Sequence, residues 1–333
     1  MRPDVSVIVV SYNARELLGE CLASIEAETA PGLAIETIVV DNQSTDGSAD
    51  WVREHHPKVR VIDAGRNGGM GAGNNVGMCA ARGAAFLLLN SDARLTSGSL
   101  AAMLHELDAD DQVALVGPRL LNPDGSLQRS ARGFPTVWRL ATEFWYLRRM
   151  APRSRLFNSL YAGWFDHRSR AELEWVSGAC MLVSRSAVER VGLMNEAYFM
   201  FNEETDWQRR LARAGNKVVF TPAAEVVHLG GGSTGKQWGR MYQVQLVSHL
   251  RYLATCESTR SAARARRVIA SALLVRWLLY RVAAVLPGSG RDRRLQRAQA
   301  FRLGRRAVLD ADVAALGAQS IPPFEPAVQQ PVT

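Results

Sequence analysis

An α/β fold with a mostly parallel central sheet flanked by helices is what the sequence predicts, on three observations. Short apolar runs alternate with helix-like stretches through the first third of the chain. Those runs are uninterrupted and too short for helices, which suits strands buried on both faces. They also end abruptly in polar side chains: Ala85-Phe86-Leu87-Leu88-Leu89 gives way to Asn90, Ser91 and Asp92. Sheets of this kind bind ligands beyond the carboxyl ends of their strands. Asp92 therefore stands where a metal or phosphate ligand is expected.

Taken in order, Val5–Val10 reads as the first strand. Ala14–Ala27 reads as a helix, with Leu17, Leu18, Cys21, Leu22 and Ile25 at helical spacing. Ile35–Val40 is the second strand, closed by Asp41-Asn42. Ser44–Ser48 combines turn residues with a helix N-cap before a helix from Ala49. Val59–Ile62 is a third strand. Asn67–Asn75 reads as a glycine-rich loop leading to a helix, Val76–Arg82, and then to the Phe86–Leu89 strand. Strand–helix alternation of this kind marks a doubly wound sheet.

Further on, Leu100–Leu107 looks helical, Ala114–Gly117 is a short strand and Asn122–Ser126 is a hairpin-like turn. Residues 130–170 mix arginines with aromatics in a poor pattern and read as a mobile or partner-facing segment. Trp175–Val183 reads as one strand, Arg185–Val191 as a helix, and Asp206–Ala214 as a helix that Gly215 stops. Val218–Phe220 and Glu225–His228 are the last strand-like pieces, before Gly230–Thr234. The Pro/Gln-rich end, from Ile321, reads as disordered.

With 333 residues, 47% of them hydrophobic, the chain has material for one large domain or two smaller ones. Its first apolar block is too short for a secretory segment and lacks a cleavage site. Cys21, Cys79, Cys180 and Cys256 show no paired spacing for zinc or redox work, as fits buried thiols in a reducing cytosol. The net charge of +8 is uneven: residues 1–250 carry 26 Lys and Arg against 27 acids, residues 251–310 carry 14 Arg against 3. That divides the chain into a body at 1–250, with halves meeting near 120, a basic helical extension at 251–310, and a tail at 311–333.

The glycine-rich stretch lacks the Gly-Lys-Ser/Thr of a P-loop and does not follow the first strand as a dinucleotide fold requires. Alone it is as readily a structural turn. Asp41 and Asp92 each close a strand, so both carboxylates fall on one sheet edge. Asp41 there suits a hydrogen bond from a base or ribose. Asp92 suits a hard divalent cation, Mg²⁺ or Mn²⁺, bridging phosphates. Either aspartate alone is more often a cap. Glu203, Glu204 and Asp206 oppose a helix macrodipole, yet the glutamates follow Tyr198-Phe199-Met200-Phe201, where a raised pKa and general-base work become available. His228 closes a strand beside a glycine loop, which admits metal ligation.

Together these motifs resemble the inverting family 2 glycosyltransferases of the GT-A fold, in the bacterial rhamnosyltransferase-like branch. The resemblance rests on Val9–Asn13, Ile38–Ser48, Asn67–Gly77, Leu89–Asp92, Gly117–Leu120, Pro123–Ser126, Val176–Met181, Phe201–Asp206 and His228 with Gly230–Thr234, and it covers about residues 4–250. It implies a nucleotide-sugar pocket from Ser11, Tyr12, Asn13, Asp41, Asn67, Gly71, Asn74, Asn90 and Ser91. It implies metal ligands at Asp92 and His228, a base at Glu204 with Glu203 beside it, and acceptor contacts at Gly178, Ala179, Asp206 and Trp207. Asn90 replaces the first acid of the family's Asp-x-Asp, and Glu204 replaces the usual aspartate. The implied reaction moves a sugar, rhamnose from dTDP-rhamnose by preference, to a cell-envelope glycan or polyprenyl-linked saccharide. A UDP-hexose donor and a non-catalytic glycan-binding subunit are the competing readings.

Val268–Leu286 is nearly all apolar, but Arg276 and Arg281 each cost about 2.5–3.5 kcal/mol at a membrane centre. It is expected to lie on an anionic membrane surface, flanked by Arg264, Arg266 and Arg267 and by Arg291, Arg293 and Arg294, each attracting lipid by about 1 kcal/mol. The alternative is a helix packed on the body with a solvated charged face. No nucleic-acid motif accompanies the arginines. The expected location is cytoplasmic, peripheral on the inner face of a bacterial plasma membrane.

Overall fold

The computed structural model describes residues 3–28, 32–230, 238–285, 290–319 and 321–326. The first half runs β1 (Val5–Ser11), α1 (Arg15–Glu26), β2 (Ile35–Asp41), α2 (Ser48–His55), β3 (Arg60–Asp63), α3 (Gly69–Ala80), β4 (Ala85–Asn90), β5 (Ala93–Leu95), α4 (Ser99–Asp108) and β6 (Val113–Leu121). Next come β7 (Leu127–Gln128), β8 (Ala131–Arg132), α5 (Val137–Phe144), β9 (Ala171–Leu173), β10 (Trp175–Val176), β11 (Cys180–Ser184), α6 (Arg185–Val191), α7 (Glu203–Arg213) and β12 (Lys217–His228). Four helices follow: α8 (Trp238–Cys256), α9 (Thr259–Ala283), α10 (Arg291–Asp310) and α11 (Val313–Leu316).

Among the described residues one ten-stranded sheet has the order β3-β2-β1-β4-β11-β6-β12-β5, with β7 beside β6 and β9 beside β12. β1 to β4 pair in parallel, β11 runs antiparallel between β4 and β6, and β12 lies parallel to β6. Every residue of β1 is buried. Alternation sends Val5, Val7 and Val9 into the layer under α1 and α4, and Ile8 into the layer under α3, α6 and α7. Burial on both faces is what an unbroken apolar run requires.

The glycine-rich stretch is not a loop: helix α3 begins at Gly69. Its glycines cost about 1 kcal/mol each in helix propensity, and close packing offsets that. A Cβ on Gly77 would sit 2.3 Å from Ile8 Cγ2, so only glycine lets α3 lie this near β1. Helix α7 likewise starts at Glu203, three residues earlier than the sequence pattern indicates. The expected strand at 175–183 divides into β10 and β11, with Ser177, Gly178 and Ala179 between them.

Residues 130–170 are packed rather than mobile. Phe134, Leu140, Phe144 and Leu160 share a third core with Leu250, Ile269, Leu273 and Phe301 from the C-terminal helices. The boundary expected at 250 falls inside α8. Nor is the whole tail loose: α11 forms at 313–316, and Phe324 packs against Phe86 with ring centroids 5.9 Å apart. Residues 327–333 lie outside the described part. Among the described residues no helix is long and apolar enough to cross a membrane.

Candidate active site at the carboxyl edge of the sheet

Parallel register sets the first wall. Ser11 pairs with Asp41 across β1 and β2, and Val10 pairs with Asn90 across β1 and β4. Three strand ends therefore stop level, and a cavity of about 520 Å³ opens beyond them. Asp41 Oδ2 accepts the Ser44 amide at 2.9 Å. Its Oδ1 and the Ser11 hydroxyl are buried without a protein partner among the described residues. Asn13 faces outward; its side chain accepts the Thr45 amide at 2.7 Å and pins the 44–46 turn.

Antiparallel pairing of β5 with β12 brings His228 opposite Ala93, and the Leu229 amide donates to the Asp92 carbonyl at 3.0 Å. His228 Nε2 then lies 3.2 Å from Asp92 Oδ1, both lining the cavity. Gln128 decides the imidazole's tautomer. Its amide NH₂ donates to the His228 carbonyl at 3.1 Å and to Asn122 Oδ1 at 3.0 Å. Gln128 Oε1 is thereby turned to His228 Nδ1, 2.7 Å away, which must donate. The Nε2 lone pair is left facing Asp92. Asn90 Nδ2 also reaches it at 3.4 Å.

Two acceptors at this distance call for a cation or proton between them. Two ligands at right angles about 2.1 Å from one ion lie about 3 Å apart, so the pair fits one side of a divalent site. A complete protein cage is absent: among the described residues no three His, Cys, Asp or Glu side chains gather for a metal. Substrate phosphate and water oxygens suit the remaining positions.

Glu203 and Glu204, in the first turn of α7, line the same cavity. Gly71 lies against the first: a Cβ there would touch Glu203 Cβ at an ordinary contact distance of 3.5 Å, whereas one on Gly178 would crowd the second, at 3.3 Å from Glu204 Cγ. Burial raises both carboxyls above their ordinary range, and each repels the other's charge. Amides at the helix start and the Arg132 guanidinium pull Glu204 back down, whereas Glu203 has only its own amide. Glu203 is therefore raised further than Glu204, which gives up its proton first as pH rises. Glu204 Oε2 has no protein partner among the described residues.

Comparison with known proteins now bears on this edge. The family described as glycosyl transferase family 2 matches residues 6–192. The chain belongs to that family. It is 31% identical over 246 residues to the N-acetylglucosaminyl-diphospho-decaprenol L-rhamnosyltransferase of Mycobacterium tuberculosis, covering 69% of this chain and 77% of that protein. It is 26% identical over 290 residues to a low-salt glycan biosynthesis hexosyltransferase of Haloferax volcanii, covering 85% of each. A mannosyltransferase of Pyrobaculum calidifontis, solved in complex with GDP-Man and Mn²⁺, superposes with a TM-score of 0.53 at 20% identity over 95% of this chain and 87% of that one. That likeness is one of fold, GT-A.

In this family 2 glycosyltransferase the cavity collects Tyr12, Asn67, Asn74, Asn90, Ser91, Asp92, Gly178, Ala179, Glu203, Glu204 and His228. Ser11, Asn13, Asp41 and Gly71 stand behind its wall. Asp206 and Trp207, expected to meet the acceptor, do not reach it. Both are fully buried: Arg210 pairs with Asp206 at 3.0 Å, and Trp207 Nε1 donates to the Gly192 carbonyl at 2.9 Å. They are core residues, as helical spacing on the inner face of α7 dictates. Gly231–Thr234, part of the resemblance, lie outside the described residues.

Sequence reasoning missed Gln128, Asn42, Met70, Phe199, Arg240 and Met241. Nothing local marks Gln128, which sits in an ordinary hairpin. It also missed how the glutamates are held. Phe201 and Asn202 both have left-handed backbones, φ 68° and 67°, a conformation costing about 1–3 kcal/mol for each residue without glycine's freedom. Neighbours fix it: the Met70 amide donates to the Phe199 carbonyl at 3.1 Å, Ser248 Oγ to the Met200 carbonyl at 2.9 Å, and Asn202 Nδ2 to His249 Nδ1 at 3.2 Å. Burial lowers His249 to about 4, keeping its ring neutral as the acceptor.

Proposed function

We propose that this glycosyltransferase transfers rhamnose from dTDP-rhamnose, with inversion, to a hydroxyl of a polyprenyl-linked saccharide in cell-envelope glycan synthesis. The observation that carries the reading is that Glu204 and the Asp92–His228 pair line one cavity. The mycobacterial relative, by its name, uses such a donor sugar and acceptor class.

Asp92 and His228 are the residues that would hold the divalent cation, Mg²⁺ or Mn²⁺, with Asn90 beside them. When bound, that ion supplies charge neutralisation for a departing nucleoside diphosphate. The chain's own groups do the rest. Tyr12, Asn67 and Asn74, which line the cavity, are the groups that would meet the nucleoside. Glu204 takes the proton of the acceptor hydroxyl as that oxygen attacks the anomeric carbon from the side opposite the leaving group. General-base help of this kind contributes about 10²–10⁴ in rate. Glu203, while it keeps its proton, repels Glu204 less than a second anion would.

Exposed apolar side chains on α9 support a membrane-surface location for residues 251–310. Leu279 and Val282 on α9, and Val285 just past its end, are 62%, 69% and 84% exposed. Apolar side chains on a basic helix favour an anionic bilayer, and the inner face of a plasma membrane offers one.

The deciding experiment supplies dTDP-rhamnose, UDP-glucose and GDP-mannose with Mn²⁺ or Mg²⁺ and a polyprenyl-diphospho-N-acetylglucosamine acceptor. Rhamnosylated product with the anomeric configuration inverted is expected. Transfer from a UDP- or GDP-hexose alone would replace the donor assignment, a reading the Haloferax hexosyltransferase relative favours.

A further inference from the structure

Arg132 senses the Glu204 carboxylate, and Arg129 lies three positions before Arg132 in the chain. Arg132, on β8, donates to the Ala131 carbonyl at 3.0 Å and stacks 5.2 Å over the Tyr161 ring. Arg129 donates to the Phe165 carbonyl at 3.2 Å. Among the described residues neither lies within 4.0 Å of a carboxylate, although Arg119, Arg139, Arg148 and Arg210 each do. Between them in sequence the Ser130 hydroxyl is buried without a partner.

Their placement follows from the strand pair. Arg132 lies opposite Trp175 and Ala131 opposite Val176 in the β8–β10 ribbon, and the Ser177 amide donates to the Ser130 carbonyl at 3.0 Å. Ser177 and Gly178 then form the cavity wall against which Glu204 rests. The ribbon thus brings Arg132 toward Glu204, with Arg129 next to Gln128 at its start. Burial, with the charge of Arg129 adding to it, lowers Arg132, and burial, with both guanidinium charges adding, lowers His167 to about 4. Guanidinium groups free of a close ion pair, Arg132 half-buried and Arg129 exposed, form a donor set that recognises phosphate oxygens.

We propose that Arg129 and Arg132, with the Ser130 hydroxyl, form a phosphate subsite for the acceptor, so that the enzyme takes a diphosphate-linked sugar with its free hydroxyl turned to Glu204. This subsite rests on the reading of Glu204 as the base, and it places the acceptor's phosphates across the sugar from the reacting hydroxyl. It excludes the donor's diphosphate, which belongs to the Asp92–His228 pair.

Two measurements test it. Methylenediphosphonate binding is followed by calorimetry in EDTA, where no metal recruits it to the donor side. Wild-type protein is expected to bind, and Arg129→Ala with Arg132→Ala to weaken binding at least tenfold, with Arg132→Lys intermediate. Absent binding, or binding that survives the double substitution, overturns the subsite. Steady-state kinetics then compare an alkyl diphospho-N-acetylglucosamine with the matching alkyl glycoside lacking phosphate. The double variant is expected to raise KM at least tenfold for the first probe only. Equal loss on both probes would make the arginines structural. Failure of the donor assignment leaves the diphosphonate measurement intact, so the two claims fail separately.

Discussion

His228 Nε2 lies 3.2 Å from Asp92 Oδ1, and the hydrogen bond from Nδ1 to Gln128 points the lone pair there. Orienting partners of this kind typically change metal affinity 10–100-fold when removed. Gln128→Leu is therefore expected to raise the Mn²⁺ concentration for half-maximal turnover by about that factor, with activity restored at high metal. Asp92→Ala should abolish turnover at every metal concentration. A Gln128 variant with an unshifted metal titration would remove the orienting role.

Glu204 must be ionised to accept a proton, and burial raises its carboxyl above the ordinary value of 4.5. The rate is thus expected to climb with pH through that raised value and to level off above it. Glu204→Gln should cut kcat by about 10²–10⁴ while leaving nucleotide-sugar binding intact. Rapid-quench turnover across a pH series, with donor affinity measured alongside, checks both statements.

Glu203 follows the opposite logic. Its raised folded pKa means that its stability contribution is complete below the ordinary carboxylate range and lost as pH rises through the folded value. Glu203→Gln removes that loss, so the variant's Tm should exceed that of the wild type increasingly toward alkaline pH and match it in acid. Equal Tm differences at all pH values would contradict the buried-proton assignment.

His249 buttresses the Asn202 turn from α8. Its folded value near 4, against 6.5 unfolded, gives stability present above 6.5 and lost as pH falls toward 4. At full burial this amounts to about 3 kcal/mol. His249→Gln keeps an acceptor and should preserve kcat while flattening the acid limb of the unfolding curve. His249→Phe should lower kcat tenfold or more with the donor KM unchanged, because the turn that aims Glu204 relaxes. Chemical denaturation between pH 4 and 7 and steady-state kinetics read these effects.

Gly77 is expected to tolerate nothing larger. Overpacking of this kind costs about 1–3 kcal/mol where neighbours can move, and a Cβ 2.3 Å from Ile8 Cγ2 meets a side chain in the centre of the sheet. Gly77→Ala should lower Tm by several degrees, whereas Gly239→Ala, with open space around it, should not.

The sheet was legible in the amino-acid order because burial on both faces leaves a local trace. Val5–Ser11, Ile35–Asp41 and Ala85–Asn90 are mostly apolar runs with polar ends, the last unbroken up to Asn90, and parallel pairing sets those ends level. Asp41, Asn90 and Asp92 were therefore findable, and the ordered motifs led to His228 and Glu204. Helix α3 was not findable, since its glycines disfavour a helix locally and only the close approach to β1 explains them. Nor were Asp206 and Trp207 separable from their cavity-lining neighbours Glu203 and Glu204 until α7 showed which face turns inward.

What the sequence by itself determined is the set of strands, their shared polar edge and the residue types that chemistry needs there. Tertiary structure alone decided which of those residues meet. Asn90 and His228 are 138 positions apart, and the antiparallel register of β5 on β12 joins them. Gln128 acquires its role only because a hairpin lays it under the imidazole, and His249 only because α8 packs beneath a strained turn. Such contacts depend on non-local pairing and packing, which leave no periodic signal in the chain.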